Sequence, residues 1–281
     1  MDNYRRRQIT VCAETQVRDA GITTFPVDPR IIAERAEIKV QAKPSDVQGA
    51  SGWLVRSGNA FGILYATHIP NEGFQRFSIA HELGHYFLDG HPEHVFRDGE
   101  QHASMAGFGS KDSIEIEADH FAASLLMPPM LFRPAMDKFK DGLQAVVGLR
   151  ALTQASLEAT AIRYAEHTKA AVAVIVSAGR RIDYCVLSDE LQEQKARRLS
   201  RGTLLPRRSA TYRLNEDHAA ILAGETISDE IAADEWFSDV RGTCTEEAIG
   251  LGLYGKTLTI ITLDIDSVDD DAPAWNPKFR R

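Results

Sequence analysis

The sequence has few cysteines, no long hydrophobic run and no excess of positive charge. Its three cysteines, Cys12, Cys185 and Cys244, form no C-x-x-C pair, which argues against a disulfide framework and predicts a reducing, cytoplasmic setting. The longest purely apolar run, residues 170–176, is too short to span a bilayer and is typical of a buried strand. Because the basic residues near the amino terminus precede no apolar stretch, we expect neither a secretory signal nor a membrane partner.

The charge of the chain is negative overall but unevenly distributed. With a net charge of −8, the whole chain is a poor candidate for binding polyanions. Residues 195–213, however, contain seven basic side chains and no acidic one. This basic segment is either a solvated surface or an anion site. As an anion site, it would bind single-stranded DNA or a nucleotide effector beside Tyr212, through the candidate residues Arg197, Arg198, Arg207 and Arg208.

A pentapeptide of the form H-E-x-x-H lies at residues 81–85, within apolar residues spaced as on a helix. Positions four apart share a helix face, so His81 and His85 can bind one metal ion. Glu82 would project beside them and could take a proton from a water that the metal activates. The pattern predicts a hydrolytic site with one Zn²⁺ per chain. The alternative is a pair of neutral histidines in the core of the protein.

Two segments compete to supply the third metal ligand. His91 has the offset of the H-E-x-x-H-x-x-G-x-x-H pattern, but Leu88 stands where that pattern requires glycine. The other segment is a helix expected within residues 114–129, where Glu115 and Asp119 are four apart and share a face. Glu115 could reach the metal while Asp119 accepts a hydrogen bond from a ligating histidine. Alternatively, these acids are the solvated face of an amphipathic helix.

Two sequence blocks carry a family resemblance. RFSIAHELGHYFL at residues 76–88 and EIEADHFAASLLMP at residues 115–128 closely resemble the paired blocks of the ImmA/IrrE-type bacterial metallopeptidases. Residues 21–40 are also similar to the first segment of that family. The resemblance implies that Glu115 is the third ligand, with Glu117 as its rival. The family often has asparagine at the position of Asp119, and either side chain can hydrogen bond an imidazole.

The amino-terminal half is expected to contain short helices and strands. They are helices at residues 5–19 and 26–35, a strand at 37–41 and two strands within 51–66 joined by a Gly-Asn turn. A small sheet packed on the H-E-x-x-H helix would form a zincin-like core. We expect residues 89–113 to form a polar loop, with His91, His94 and His102 exposed on it.

The carboxy-terminal half changes from a helical period to a strand period. The pattern is helical from Pro134 to about Thr168, with a break near Thr153. Two hairpins then follow, turning at Gly179-Arg180 and at Gly255, with helical stretches at 190–199 and 216–223 between them.

The predicted fold class is α+β. The resemblance implies a helix-turn-helix-like middle region and a GAF-like sensor domain at the carboxy terminus. Few Arg or Lys lie on the second helix of the middle region, so the alternative is a helical connector packed on the peptidase. The expected divisions are a zincin-like metallopeptidase domain at 1–135, the helical region at 136–168, the GAF-like α+β domain at 169–266 and a disordered tail at 267–281.

The leading hypothesis is a zinc endopeptidase held in check by its sensor domain. The resemblance implies that its protein substrate is a helix-turn-helix transcriptional repressor, cleaved in a response to DNA damage, phage or mobile elements. Two other functions stay open: a DNA-binding transcription regulator that uses the middle region, and an antitoxin-like interaction protein with a structural zinc. A structural zinc would have four protein ligands, whereas a catalytic zinc would have three and a solvent molecule.

Overall fold

The computed structural model describes residues 1–43, 49–68, 71–97, 99–104 and 112–265. The chain divides into two compact units: unit 1 is Met1–Ala135 with Leu149–Thr160, and unit 2 is Met136–Gly148 with Ala161–Arg281. The helical region expected at 136–168 is therefore shared between them, and the domain boundaries given above stay a prediction. The expected disordered tail at 267–281 lies outside the described residues.

Unit 1 contains six helices and four strands among its described residues. They are α1 Asn3–Asp19, α2 Pro29–Arg35, β1 Lys39–Lys43, β2 Gly52–Ser57, β3 Ala60–Ala66, α3 Glu72–Phe87, α4 His91–Val95, β4 Gln101–Ser104, α5 Ser113–Leu126 and α6 Pro129–Met136. The helices α1, α3 and α5 each follow a residue whose side chain accepts a hydrogen bond from the first turn: Asp2, Asn71 and Asp112. The helices and strands predicted before residue 89 are confirmed, with ends shifted by a few residues.

The sheet of unit 1 has the strand order β1-β3-β2-β4, in which β1 is parallel to β3 and the other pairs are antiparallel. Leu54 of β2 and Ile63 of β3 lie in the same buried core cluster as Ile79 and Leu83 of α3. The small sheet expected against the H-E-x-x-H helix is therefore confirmed. It supports α3 from one side.

The polar loop expected at residues 89–113 was wrong in part. Helix α4 starts directly after Gly90, which has a φ of 83°, and β4 adds to the edge of the sheet by pairing Leu54 with His102. A four-residue strand with the sequence QHAS has no apolar alternation, so its pairing depends on β2 rather than on its own residues.

Helices α3 and α5 approach each other closely at Gly84. A Cβ atom at this position would lie 3.1 Å from the Cα of Ala118 and 3.3 Å from its carbonyl oxygen. Glycine at this place in the H-E-x-x-H block therefore lets the backbone of α5 lie directly against α3. Glu115 and Asp119, one turn before Ala118 and directly after it on α5, are brought against the histidines of α3 as a result.

The helices α7 Leu143–Thr153 and α8 Leu157–His167 connect the two units along the chain. The predicted break near Thr153 is confirmed, since Gln154 has a φ of 56° and ends the first helix. None of the helices in the described part of the chain is long and apolar enough to cross a membrane.

Unit 2 is built on a five-stranded antiparallel sheet. Its further elements are β5 Val172–Ala178, β6 Arg181–Leu187, α9 Asp189–Glu193, α10 Ala210–Glu216, α11 His218–Ala223, β7 Thr226–Ala232, α12 Ala233–Trp236, β8 Thr243–Gly250, a 3₁₀ helix Gly252–Tyr254 and β9 Thr257–Leu263. The strand order is β6-β5-β9-β8-β7. Both predicted hairpins are confirmed, β5–β6 and β8–β9. The helix expected at 190–199 ends early, before Lys195 with its φ of 67°.

Strand β7 was not predicted. Of its seven residues only Ile227 and Ile231 are half-buried and the others are exposed, as befits an edge strand. With so few apolar positions it lacks the alternation that marks a strand. The mixed α+β class is confirmed for the chain, whereas the GAF-like assignment of unit 2 stays a prediction.

Candidate metal centre

Helix α3 places the three polar residues of the H-E-x-x-H block in the interior of unit 1. The side chains of His81, Glu82 and His85 are all fully buried. The Nε2 atoms of His81 and His85 lie 3.0 Å apart, so both rings direct the same nitrogen toward one point. Two ring nitrogens that converge in this way can both bind one metal ion.

Helix α5 brings the carboxylate of Glu115 to the same point. Its Oε2 lies 3.2 Å from Nε2 of His81, and its Oε1 lies 3.3 Å from Nε2 of His85. Ligands about 2.0–2.1 Å from a tetrahedral zinc are separated from one another by about 3.3 Å. The observed separations fit that tetrahedron, and the donor set of two imidazoles and one carboxylate suits zinc. His81, His85 and Glu115 can therefore hold a metal ion.

Asp119 fixes the orientation of His81. Its Oδ1 lies 2.8 Å from Nδ1 of His81, on the opposite side of the ring from Glu115. Burial lowers the pKa of His81, but the hydrogen bonds to Asp119 and Glu115 outweigh it and raise that pKa to about 10. Asp119 therefore occupies the position that sequence reasoning gave it, beside the ring nitrogen that faces away from the cluster.

Glu82 lies beside the cluster. No well-aligned hydrogen bond from a described residue reaches either of its carboxylate oxygens, although the Ser104 hydroxyl lies near enough to lower its pKa, and the side chain is fully buried. Burial raises the pKa of Glu82 to about 7, against the opposing effect of the charge on His81. A carboxylate that is buried and unpaired near neutral pKa is suited to accept and release a proton.

Gly52 makes the space that Glu82 occupies. A Cβ atom on Gly52 would lie 2.5 Å from Oε1 of Glu82, closer than any van der Waals contact allows. Sequence reasoning placed Gly52 at the start of a strand and assigned it no role in the site. No local signal could identify it, because the contact arises only when β2 packs against α3.

His102 is a second residue that the sequence analysis did not place at the site. Its Nε2 lies 3.1 Å from Oε1 of Glu115, and its side chain keeps 22% of its surface exposed. Burial raises the pKa of Glu115, but hydrogen bonds with His102, His81 and His85 lower it well below its usual range. The expectation of exposed histidines was wrong for His102, because β4 carries it into the cluster.

His91 and Glu117, the two rivals of Glu115, lie outside the cluster and contact each other. Nδ1 of His91 lies 3.2 Å from Nδ1 of His85, the nitrogen opposite to the one that faces Glu115. Nε2 of His91 lies 3.1 Å from Oε2 of Glu117. His91 is fully buried, which contradicts its expected exposure, whereas His94 is exposed as expected.

The basic segment of unit 2 lies among acidic side chains of the same unit. Arg197 and Arg208 are 89% and 84% exposed and form long ion pairs, at 3.5 Å to Asp239 and 3.3 Å to Glu235. Arg198 donates from Nε to the carbonyl oxygen of Cys185, and Arg207 is exposed. The Tyr212 ring is half-buried, with the guanidinium of Arg180 over it at 5.6 Å. That face of the ring is covered and does not offer a base a stacking surface.

Comparison with known proteins agrees with the geometry of unit 1. The model of the peptidase M78 family, described as the IrrE N-terminal-like domain, matches residues 33–164. A search of curated proteins gives no match. Among solved structures, a Mycobacterium tuberculosis transcriptional regulator is similar with a TM-score of 0.60 at 14% sequence identity, over 92% of this chain and 77% of that chain. At this identity the likeness shows the fold alone.

The matched residues contain every residue of the candidate metal cluster, including His81, His85 and Glu115. They also contain both sequence blocks that carried the resemblance. The match of residues 33–164 to the IrrE N-terminal-like domain of the peptidase M78 family supports the resemblance to the ImmA/IrrE family.

Proposed function

We propose that the chain is a zinc-dependent endopeptidase. The observation that carries the proposal is the buried, unpaired carboxylate of Glu82 beside three convergent metal ligands, His81, His85 and Glu115. A carboxylate left unpaired in the interior lowers stability, so its retention needs a function that uses the free oxygens. Peptide hydrolysis supplies that function, because the attacking water must lose a proton and the leaving amine must gain one.

Each residue of the site has a separate task in this mechanism. When bound, zinc would lower the pKa of water and polarise the carbonyl of the substrate. Glu82 takes the proton of the attacking water and returns it to the nitrogen of the leaving amine. Asp119 holds the ring of His81 by its Nδ1. His102, the partly exposed histidine of the cluster, would donate a hydrogen bond to the carbonyl oxygen as negative charge develops on it.

The number of protein ligands favours catalysis over a structural role. Structural zinc sites are closed by four protein ligands, whereas catalytic ones have three and leave a position for solvent. His81, His85 and Glu115 supply three. The two other functions, a DNA-binding regulator and an antitoxin-like partner with a structural zinc, would leave Glu82 without a use.

The proposed substrate is a helix-turn-helix transcriptional repressor, cleaved in a response to DNA damage, phage or mobile elements. Support comes from the ImmA/IrrE family of unit 1 and from the similarity of the chain to a transcriptional regulator. Proteolysis is irreversible, so such an enzyme needs control. Unit 2 is proposed as a GAF-like sensor that provides it, and its antiparallel sheet with short helices is an architecture compatible with that role.

The proposed effector of unit 2 is single-stranded DNA or a nucleotide. Two arginines support this effector: Arg197 and Arg208 are exposed, and their ion pairs with carboxylates are long. Such ion pairs are weak, so a phosphate could replace the carboxylate as the partner of each arginine. Arg207 is exposed as well, and Arg198 would contribute charge beside them. Because the Tyr212 ring is already covered by Arg180, phosphate contacts rather than stacking would carry the binding.

The proposal is tested by co-expressing the chain with the helix-turn-helix repressor encoded beside it and following the repressor by immunoblot. We expect a discrete cleavage product, which disappears with Glu82→Gln. With purified proteins, a chelator should abolish cleavage and added Zn²⁺ should restore it. Glu115→Ala should lose both metal and cleavage, whereas Glu82→Gln should lose cleavage alone. A wild-type protein that binds no metal would exclude the proposed enzyme.

A further inference from the structure

A row of polar side chains, buried at His85 and His91 and partly exposed at Glu117 and Arg5, leads from the candidate metal centre to the first helix of unit 1. His85 contacts His91 between their Nδ1 atoms at 3.2 Å, and His91 contacts Oε2 of Glu117 through its Nε2 at 3.1 Å. Arg5 of α1 then donates to the same Oε2 from two nitrogens, at 2.9 and 2.5 Å. The row therefore runs from His85 through His91 and Glu117 to Arg5.

The protons in this row have one arrangement that agrees with metal binding. The Nε2 of His85 faces Nε2 of His81 and the carboxylate of Glu115, so its lone pair is the one available to a metal. A neutral His85 then carries its proton on Nδ1 and donates it to Nδ1 of His91. His91 in turn carries its proton on Nε2 and donates it to Glu117. The positive charge of Arg5 completes the row by binding the carboxylate of Glu117.

We infer that His91, Glu117 and Arg5 are positioning residues that fix the tautomer and the ring orientation of His85 for metal binding. The inference rests on the proposed function, since it assigns the ring nitrogen of His85 to the metal. It explains why the two other candidates for the third ligand, the buried His91 and the partly exposed Glu117, contact each other although neither belongs to the cluster. The two ligating histidines would thus be held differently: His81 directly by Asp119, and His85 through three residues in series.

The row also makes α1 part of the metal centre. Helix α1 lies outside residues 33–164, which match the family domain, yet it supplies Arg5. Ile9, Ala13 and Val17 of α1 are fully buried in the core of unit 1, so the helix holds Arg5 in a defined place. Removing Arg5 would leave His91 as the hydrogen-bond partner of Glu117 among the described residues, and the orientation of His85 would be less restricted.

The variants that test the inference separate the hydrogen bonds from the shape of the side chains. His91→Phe keeps a ring but removes both nitrogens. His91→Gln replaces them with an amide, whose oxygen can accept from His85 and whose nitrogen can donate to Glu117. Glu117→Gln keeps the shape of a partly exposed residue and removes its charge. Arg5→Met is compared with Arg7→Met, which changes an exposed arginine on the same helix.

The first readout is the affinity for Zn²⁺, measured by competition with a chromophoric chelator. We expect His91→Phe to weaken zinc binding about 10–100-fold, the loss typical of a residue that orients a metal ligand. His91→Gln should recover most of this loss. Glu117→Gln and Arg5→Met should weaken binding by smaller factors, in that order, and Arg7→Met should have no effect. A circular dichroism melt of each metal-free variant checks that it is folded.

The second readout reports the hydrogen bond itself. In protein loaded with Co²⁺, ring N–H protons of ligating histidines give strongly shifted NMR signals, and protection from solvent keeps them visible. We expect two such signals in the wild type, from His81 and His85, and one of them to be lost to solvent exchange in His91→Phe and kept in His91→Gln. Equal affinity and both signals in His91→Phe or Glu117→Gln would overturn the inference alone. A wild-type protein that takes up neither Zn²⁺ nor Co²⁺ would overturn the proposed function together with it.

Discussion

Two fully buried glutamates, one in each unit, differ in how their oxygens are used. Glu82 of unit 1 receives no well-aligned hydrogen bond from a described residue, and only the Ser104 hydroxyl among these acts on it as a hydrogen-bonding neighbour. Glu246 of unit 2 accepts from the backbone N–H of Thr211 at 2.7 Å, from the Thr211 hydroxyl at 2.6 Å and from Nε1 of Trp236 at 3.3 Å. Burial is the same for both, so burial alone does not distinguish the glutamate proposed to react from the one that joins elements of the fold.

The two carboxylates differ in which groups donate hydrogen bonds to them. The oxygens of Glu246, on β8, accept hydrogen bonds from α10 and α12, so the residue joins these three elements. The oxygens of Glu82 lie beside His81 and have room that Gly52 provides. A buried polar group without a partner costs stability, and it marks a position where something other than this chain completes the contacts.

The sharpest test of this comparison is the same substitution at both positions. Glu82→Gln should lower cleavage of the repressor by about 10²–10⁴-fold, because an amide cannot take the proton of the attacking water. Zinc content should stay at one ion per chain. In the metal-free protein Glu82→Gln should raise the melting temperature, since it removes a buried unpaired charge, whereas Glu246→Gln should lower it. Equal proteolysis by wild type and Glu82→Gln would remove Glu82 from the mechanism.

The next test displaces the carboxylate of Glu82 without replacing the residue. Gly52→Ala puts a methyl group within 2.5 Å of Oε1 of Glu82, and the flexible carboxylate is what must move. We expect a loss of cleavage of about 10-fold or more, as a displaced catalytic group loses its alignment, with zinc content and unfolding midpoint close to those of wild type. Gly99→Ala is the control, since a methyl group there meets no atom within 4 Å. Full activity in Gly52→Ala would show that the carboxylate of Glu82 can move away from the added methyl group without losing its alignment.

The parts of the site that could be predicted are those determined by local spacing. His81, Glu82 and His85 are four or fewer residues apart on one helix, and Glu115 and Asp119 are related in the same way on another, so helical periodicity alone aligns them. The hairpins of unit 2 could also be predicted, because β5 and β9 are apolar and each borders a glycine-containing turn, at the end of β5 and before the start of β9.

The parts that could not be predicted depend on pairing between distant segments. His102 reaches the site because the short polar strand β4 pairs with β2, and Gly52 matters because β2 packs against Glu82. His91 required a helix starting one residue after Gly90, within a stretch that has the composition of a loop. In each case the decisive contact lies in tertiary structure, and the local sequence carries no periodic signal for it.

A third prediction concerns Glu246 as a structural residue. Glu246→Ala leaves the N–H of Thr211 and the indole N–H of Trp236 without their acceptor in a buried place. Each unsatisfied donor costs about 1–3 kcal/mol, so the urea midpoint should fall clearly. Glu230→Ala, on the exposed face of β7, should leave the midpoint unchanged. Zinc content should be the same in all three proteins. If Glu246→Ala kept full stability, the contrast between the two glutamates would not hold.

The smallest effect on stability is expected from Arg197, Arg207 and Arg208 of the basic segment, which are exposed and not tightly paired. Replacing Arg197, Arg207 and Arg208 by alanine should leave the unfolding midpoint of the protein unchanged, because exposed ion pairs at 3.3–3.5 Å contribute little. Arg198 is changed separately, since its hydrogen bond to Cys185 gives it a structural contact.

The same triple variant should lose any stimulation of repressor cleavage by short single-stranded DNA, and in the wild type that stimulation should weaken steeply as salt is raised. Arg133→Ala, a change outside unit 2, serves as the control for lost charge. If DNA affects cleavage equally in the triple variant and the wild type, or in neither, the segment is a solvated surface, and its charge is balanced by the acids beside it.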